Sequence, residues 1–268
     1  MKYILFSFFL FLGLNCYATV QTRDILIMNM DTTYLLYNYP LDSHPNIEKI
    51  YKHMERDTLF SKSSNTACWR GYIAEWRLIN NTLYLSNIYS CDRKTKLDLK
   101  KIFSVVDNQG LVKAYWVSDS LKVGYGGIYR YASYSDNYPL YKSQSVFAIK
   151  NGSLKEKIHY NSSNSILTSY SDNPKKLQDY IYKRINWERL GKIDSTYKIR
   201  FTYECDSLGY ITDIKFVKNI DPNLKDEILK ILKNMKIEAI YYFGKFMRTT
   251  YFMSILISEE NKLKHSKT

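Results

Sequence analysis

The sequence predicts an α+β protein: a β-rich N-terminal domain, then a small domain made of a three-stranded antiparallel sheet with helices on one face. Three observations carry this. The chain of 268 residues holds 26 Tyr and only 10 Gly and 5 Pro, and tyrosine, with an apolar body and a wet hydroxyl, suits half-buried strands. Residues 20–150 read mainly as strands, apolar runs and a long hairpin between turn residues. Residues 174–258 change period in the order helix, strand, strand, helix, strand.

The chain opens on "MKYILFSFFLFLGLNCYA", with one Lys, an apolar run from Tyr3 to Leu14, and small or polar residues ending at Ala18. This is the pattern of a secretory signal peptide, residues 1–18. The run is shorter than the ~20 residues of a spanning helix. Cleavage after Ala18 places Cys16 and Ala18 at −3 and −1. Lipidation at Cys16 is the alternative, but Asn15 is a poor residue to precede a lipidated cysteine. The expected product is exported, periplasmic or associated with the cell envelope, with no span in the mature chain.

In the N-terminal domain, residues 19–150, "DILIMNM" and "TYLLYNYP" are strands about a turn at Met30–Thr32, and "HPNIEKIYKHMERD" holds one short helix. "CWRGYIAEWRLINNTLYLSNIYSC" reads as a long hairpin turning at Asn80-Asn81. That turn sets Leu78 opposite Leu83, Trp76 opposite Leu85, Ala74 opposite Asn87 and Tyr72 opposite Tyr89. Trp76, Leu78, Leu83 and Leu85 then share the core face. Further strands are "GLVKAYWVS", "SLKVGYGG", "IYRYASYS" and "SVFAIKNG".

In this register Cys68 and Cys91 lie diagonally on one face, at the outer limit for a disulfide. A bulge near Gly71 would bring them together; two buried thiols are the alternative. Cys205 is then the expected unpaired thiol.

The Asn/Ser-rich stretch 151–173 predicts a linker. Beyond it, "PKKLQDYIYKRINWERL" is an amphipathic helix with Leu177, Tyr180, Ile181, Arg184 and Ile185 on one face. "YKIRFTYEC" alternates, with Ile199, Phe201, Tyr203 and Cys205 on one side. The turn Asp206–Gly209 places Gly209 at a positive φ. It sets Phe201 opposite Ile214 and Ile199 opposite Phe216 on "YITDIKFVK". Asp221 is an N-cap and Pro222 the first helical residue of a helix whose stripe is Leu224, Ile228, Ile231, Leu232 and Met235. A loop at Phe243–Lys245 precedes the last strand, "RTTYFMSILIS", and residues 259–268 read as a disordered tail.

Over about 85 residues, this second domain resembles the C-terminal domain of TonB-like proteins. The resemblance rests on "LQDYIYKRINW", "KIRFTYECDSLG", "YITDIKFVKN", "LKDEILKILKNMK" and "FGK" before the final strand. The chain departs from the family at Asn186-Trp187, where Tyr-Pro is usual, at Ser195 in place of a glycine, and at "MKIEA" in place of Trp-x-Pro. The resemblance implies binding of a protein partner by β-strand addition, at an edge carrying Arg248, Thr250, Phe252 and Ser254. It does not imply energy transduction. Only Thr19–Arg23 lie between the apolar leader and the first strand, about 17 Å at ~3.5 Å per residue, and no proline run follows. In the first domain, "TACWRGYIAEW", "NNTLYLSNI" and "GLVKAYWVSDSLKVGYGG" resemble a signature of uncharacterised bacterial proteins, which implies no activity.

The net charge of +13 arises from lysines scattered singly among acids, the pattern of a solvated surface rather than of a nucleic-acid footprint. His44, His53, His159 and His265 have no metal-ligand spacing and read as surface histidines. No catalytic, cofactor-binding or metal-binding set emerges, so an enzyme is not expected. The second functional reading is a sugar- or peptide-binding platform on the hairpin, formed by Trp69, Arg70, Tyr72 and Trp76. Asp-Ser/Thr triplets such as "DSL" at 119 and 206 resemble loose O-glycosylation sites.

Overall fold

The computed structural model describes residues 21–28, 32–56, 66–131, 139–171 and 173–266. The leader 1–18, Cys16, the first two residues of the Met30–Thr32 turn and the end of "IYRYASYS" lie outside them. The architecture is mixed α+β, strand-rich, with several sheets. Two compact units divide the chain: residues 1–140 with 147–157, and residues 141–146 with 158–268.

The first unit contains β1 (Ile25–Met28), β2 (Thr32–Leu36), α1 (Ile47–Arg56), β3 (Tyr72–Ile79), β4 (Thr82–Ser90), β5 (Val112–Lys113) and β6 (Asp119–Tyr131). A hairpin of β7 (Pro139–Lys150) and β8 (Ser153–Asn161) is shared between the units, its turn end counting with the first. The sheet runs β3-β1-β2-β6-β7-β8-β4-β5, and the β3–β4 pair joins it back on itself. Closure removes exposed edges at β3 and β4. Trp76, Tyr72, Phe147, Leu26, Leu36, Leu83 and Leu85 are buried in the core of this unit.

The β3–β4 hairpin turns at Asn80-Asn81, both with positive φ (47° and 60°), which asparagine tolerates. Trp76 pairs with Leu85 and Leu78 with Leu83. Beyond that point the register departs from expectation: Ala74 faces Ile88 and Tyr72 faces Ser90. The extra residue sits on β4, where the Ser86 hydroxyl donates to the Glu75 carbonyl (3.0 Å) and to its carboxylate (2.7 Å). The bulge is therefore opposite Glu75/Trp76 and not near Gly71. It shifts the end of β4 by one residue, and Cys68, in a short 3₁₀ turn (Thr66–Cys68), is disulfide-bonded to Cys91 with Cα atoms 6.0 Å apart.

Residues 151–173 hold more structure than a linker. Asn151 and Gly152 take positive φ (48° and 73°) and close the two-residue β7–β8 turn. Asn-Gly is a strong hairpin signal, and the polar character of the next residues obscured it. β9 (Ile166–Leu167) follows.

The second unit continues with α2 (Pro174–Tyr182), β10 (Tyr197–Cys205), β11 (Ile211–Phe216), α3 (Pro222–Leu232), β12 (Glu238–Tyr242), β13 (Lys245–Met247), β14 (Thr250–Ile257) and α4 (Glu259–His265). Its main sheet is antiparallel, in the order β11-β10-β14; a second small sheet is ordered β13-β12-β9. Leu177, Ile181 and Ile185 from the first helical region meet Ile199, Phe201, Ile255 and Ile257 from the sheet and Leu224, Ile228 and Leu232 from α3 in one core. Both helices are capped from within the sequence. Asn173 accepts from Lys176 N–H (2.9 Å), and Asp221 accepts from Leu224 N–H (3.0 Å), with Pro next in each case.

The β10–β11 register also differs from expectation. Phe201 pairs with Phe216, and Cys205 with Ile211. The Asp206 carboxylate accepts from Leu208 and Tyr210 N–H, both at 2.9 Å, so the loop takes five residues and ends beyond Gly209 (φ 87°). Asp213, at φ 47°, then adds a bulge. The tail is a helix, α4: the Ser258 hydroxyl caps Asn261 N–H (3.1 Å), and Glu259 and Glu260 occupy the first turn.

Cys205 is buried and unbonded. Burial, with the Asp206 carboxylate behind it, pushes its thiol up to about 12. The thiolate is the reactive form, so in the chain lacking residues 1–18 a disulfide-exchange reagent at pH 8 is expected to titrate no thiol in the native state. In denaturant it should titrate one. A rapid native reaction would contradict this environment.

Candidate functional site

Three places compete as the functional site: the hairpin of the first unit, the outer edge of β14, and a basic cleft beside α1.

The four hairpin residues proposed as a platform are not brought together on the surface. Trp69 is 59% exposed, but Tyr72 and Trp76 are fully buried, and the Arg70 side chain is 3% exposed. The reason is Asp24, immediately before β1. Its buried carboxylate accepts from Arg70 Nη2 (2.7 Å), Ala74 N–H (3.1 Å) and Trp76 Nε1–H (3.3 Å). The Arg70 guanidinium lies 3.7 Å from the Tyr39 ring centroid and 4.5 Å from that of Tyr72, a cation held between aromatic faces. Burial pushes the Tyr72 hydroxyl far up; it stays protonated and donates to Asp42 (2.9 Å), which also accepts from Tyr51 (2.9 Å). Arg70, Tyr72 and Trp76 thus form a buried scaffold around Asp24, and of the four only Trp69 is exposed.

The β14 edge can be read group by group. Val217 N–H donates to Arg200 O (2.9 Å), so the even-numbered residues of β10 direct their backbone groups to β11 and the odd-numbered ones theirs to β14. On β14, Tyr251, Met253, Ile255 and Ile257 pair with those odd residues. The backbone groups of Thr250, Phe252, Ser254 and Leu256 therefore point away from the sheet. Part of this edge is occupied. Gln178 Nε2 donates to Ser254 O (2.7 Å), Leu256 N–H donates to the Tyr182 hydroxyl (2.8 Å), and Asn261 Nδ2 donates to Leu256 O (2.9 Å). Among the described residues none hydrogen-bonds to the outward N–H or C=O of Phe252. Its side chain is 47% exposed. Arg248 is exposed and ion-paired with Glu204, which also accepts from the Thr250 hydroxyl (3.2 Å). Of the predicted set, Arg248, Thr250 and Phe252 mark the open half of the edge, and Ser254 lies where the α2 side chains cover it.

The cleft of about 370 Å³ was not foreseen. Lys49, Ile50 and His53 of α1 line one wall, since spacings of three and four residues share a helix face. Lys101, Phe103 and the Tyr115-Trp116 pair line others. His44 also lines it, and it is buried rather than a surface histidine. Its ring stands edge-on to Trp116 at 4.4 Å between centroids. Trp116 is fixed by Nε1–H donation to Pro40 O (3.1 Å).

Among the described residues no group of three or more His, Cys, Asp or Glu could hold a metal ion, and no helix is long and apolar enough to cross a membrane. Comparison with protein-family models, with curated proteins and with solved structures finds no match.

Proposed function

We propose that this is an exported cell-envelope protein, with a TonB C-terminal-like second domain, that binds a protein partner by strand addition at the open half of the β14 edge. The observation that carries the reading is the outward N–H and C=O pair of Phe252 on an exposed strand edge, without a hydrogen bond among the described residues. Such a pair is a template for an incoming extended chain. The exposed Phe252 ring supplies an apolar contact, and Lys198 and Arg200, exposed on the same face of β10, favour acidic residues in the partner. The element order from α2 to β14 supports the likeness to the TonB-like domain, with β12 and β13 intervening before the last strand. The leader pattern supports export, and so does the Cys68–Cys91 disulfide, since such bonds persist in oxidising compartments.

The test is the Phe252→Pro variant. Proline removes the outward N–H at 252, whereas the ladder to β10 uses residues 251 and 253. Pro is tolerated on an edge strand in this orientation. With the full chain immobilised in a native envelope extract, a partner retained by the wild type is expected to fall at least tenfold for the variant, at unchanged circular dichroism. Equal retention by a folded variant would refute edge addition.

A further inference from the structure

We propose that the cleft beside α1 in the first unit is a binding site for a small organic anion, an aryl carboxylate or aryl phosphate, independent of the β14 edge. Lys49, His53 and Lys101 line the cleft with His44, and no Asp or Glu is among its lining residues. One sign of charge in a walled cleft concentrates ligands of the other sign.

The site is built. His44 Nδ1 accepts from Asn46 N–H (3.0 Å), so the neutral ring carries its proton on Nε2. Among the described residues nothing accepts from that Nε2–H, and although most of the residue is buried, this atom is not among the buried unpaired ones and is open to a ligand. Burial also lowers the pKa of His44, which keeps this tautomer neutral at pH 7, with Lys49, His53 and Lys101 as its titratable neighbours in the cleft. The ring thus offers a fixed donor for a ligand oxygen, and the lysine ammonium groups supply the charge.

The apolar part of the ligand follows from the aromatic rings beside His44. Phe103 and Trp116 lie nearly parallel, 8° apart with centroids separated by 6.2 Å, and Tyr115, edge-on to Trp116, is 61% exposed at the mouth. Rigid aromatic faces select a flat apolar body. The volume of about 370 Å³ is at the small end of the ~300–1,000 Å³ typical of ligand sites, which fits one or two fused rings.

Titration calorimetry on the full chain with 1-naphthyl phosphate, 1-naphthoate, neutral 1-naphthol and inorganic phosphate tests this. The two aryl anions are expected to bind saturably, at least tenfold tighter than naphthol or phosphate. The Lys49→Gln/Lys101→Gln variant changes two exposed side chains and should fold normally. It is expected to weaken the anions at least tenfold and to leave naphthol unchanged; Tyr115→Ala should weaken both aryl anions. The proposal is overturned if naphthol binds as tightly as the anions, if the double lysine variant binds them as well as the wild type, or if neither anion saturates at millimolar concentration.

Discussion

Replacing Asp24 by alanine is expected to cost about 3–5 kcal/mol of unfolding free energy, because it leaves the Arg70 guanidinium buried without its counter-charge. The Asp24 carboxylate holds Arg70, Ala74 N–H and Trp76 Nε1–H at once. Arg70 cannot turn to another acceptor, since its Nη1 is buried and already without a hydrogen-bond partner among the described residues. Its flat faces are against Tyr39 and Tyr72. Asp24→Asn should cost less than alanine, as the amide oxygen can still accept from Ala74 or Trp76. The Asp24→Leu/Arg70→Met pair should cost much less than the sum of its single variants, because removing both charges also removes the penalty of burying one alone. Urea denaturation of Asp24→Ala, Asp24→Asn, the two single variants Asp24→Leu and Arg70→Met, and their pair measures this. A loss below 1 kcal/mol for Asp24→Ala would mean that the guanidinium finds water, and that the cluster is not the closed scaffold described above.

The cluster also shows where the sequence could be read and where it could not. The Asn80-Asn81 turn and the alternation of β3 and β4 placed Trp76, Leu78, Leu83 and Leu85 on one face, and all four are buried. The same pattern could not reveal that Arg70 would turn inward. That depends on Asp24, 46 residues away, at the start of a strand that pairs parallel to β3. A basic residue among aromatics reads as a surface platform until its counter-ion is placed. Registers failed for a related reason. Where the Ser86 hydroxyl donates to Glu75, and where the Asp206 carboxylate accepts from Leu208 and Tyr210 N–H, the chain carries one residue more than the simple turn and every partner beyond it moves.

Candidate sites divide along the same line. The edge at Arg248, Thr250 and Phe252 was named through the resemblance, which implies an exposed last strand; alternation along that strand then decides which of its side chains leave the core. That Gln178 and Tyr182 cover the adjoining Ser254–Leu256 is a tertiary contact between segments more than 70 residues apart. The cleft beside α1 was even less accessible to sequence reading. Lys49 and His53 share a helix face by spacing, but Lys101 closes a short 3₁₀ turn and Phe103 and Trp116 come from loops, with no shared sequence pattern. The hidden helix α4 and the Asn151-Gly152 hairpin are different: their signals, a Ser cap with two following glutamates and an Asn-Gly turn, were present and were outweighed by the polar composition around them.

The second large effect is expected from the disulfide. Replacing Cys68 and Cys91 together by serine should lower stability by about 3 kcal/mol, the chain-entropy value for a loop of this size, since the bond spans 23 residues. The closed loop contains the whole β3–β4 hairpin, so in the unfolded state the bond keeps together the two strands that must pair. In the native state the same strands are held by their own ladder, and the variant should keep its fold. The effect should therefore be seen chiefly through the unfolded ensemble, as a lower midpoint in urea with an equal or larger denaturant slope, the less constrained chain exposing more surface. Reducing the wild type should give the same shift. The combination with Asp24→Ala discriminates further. Arg70 lies two residues from Cys68, and its contact with Asp24 fixes the turn that presents Cys68 to Cys91. Losses that add within experimental error would show that the bond acts on the unfolded chain alone. A combined loss well above the sum would show that the ion pair and the disulfide hold one native turn jointly.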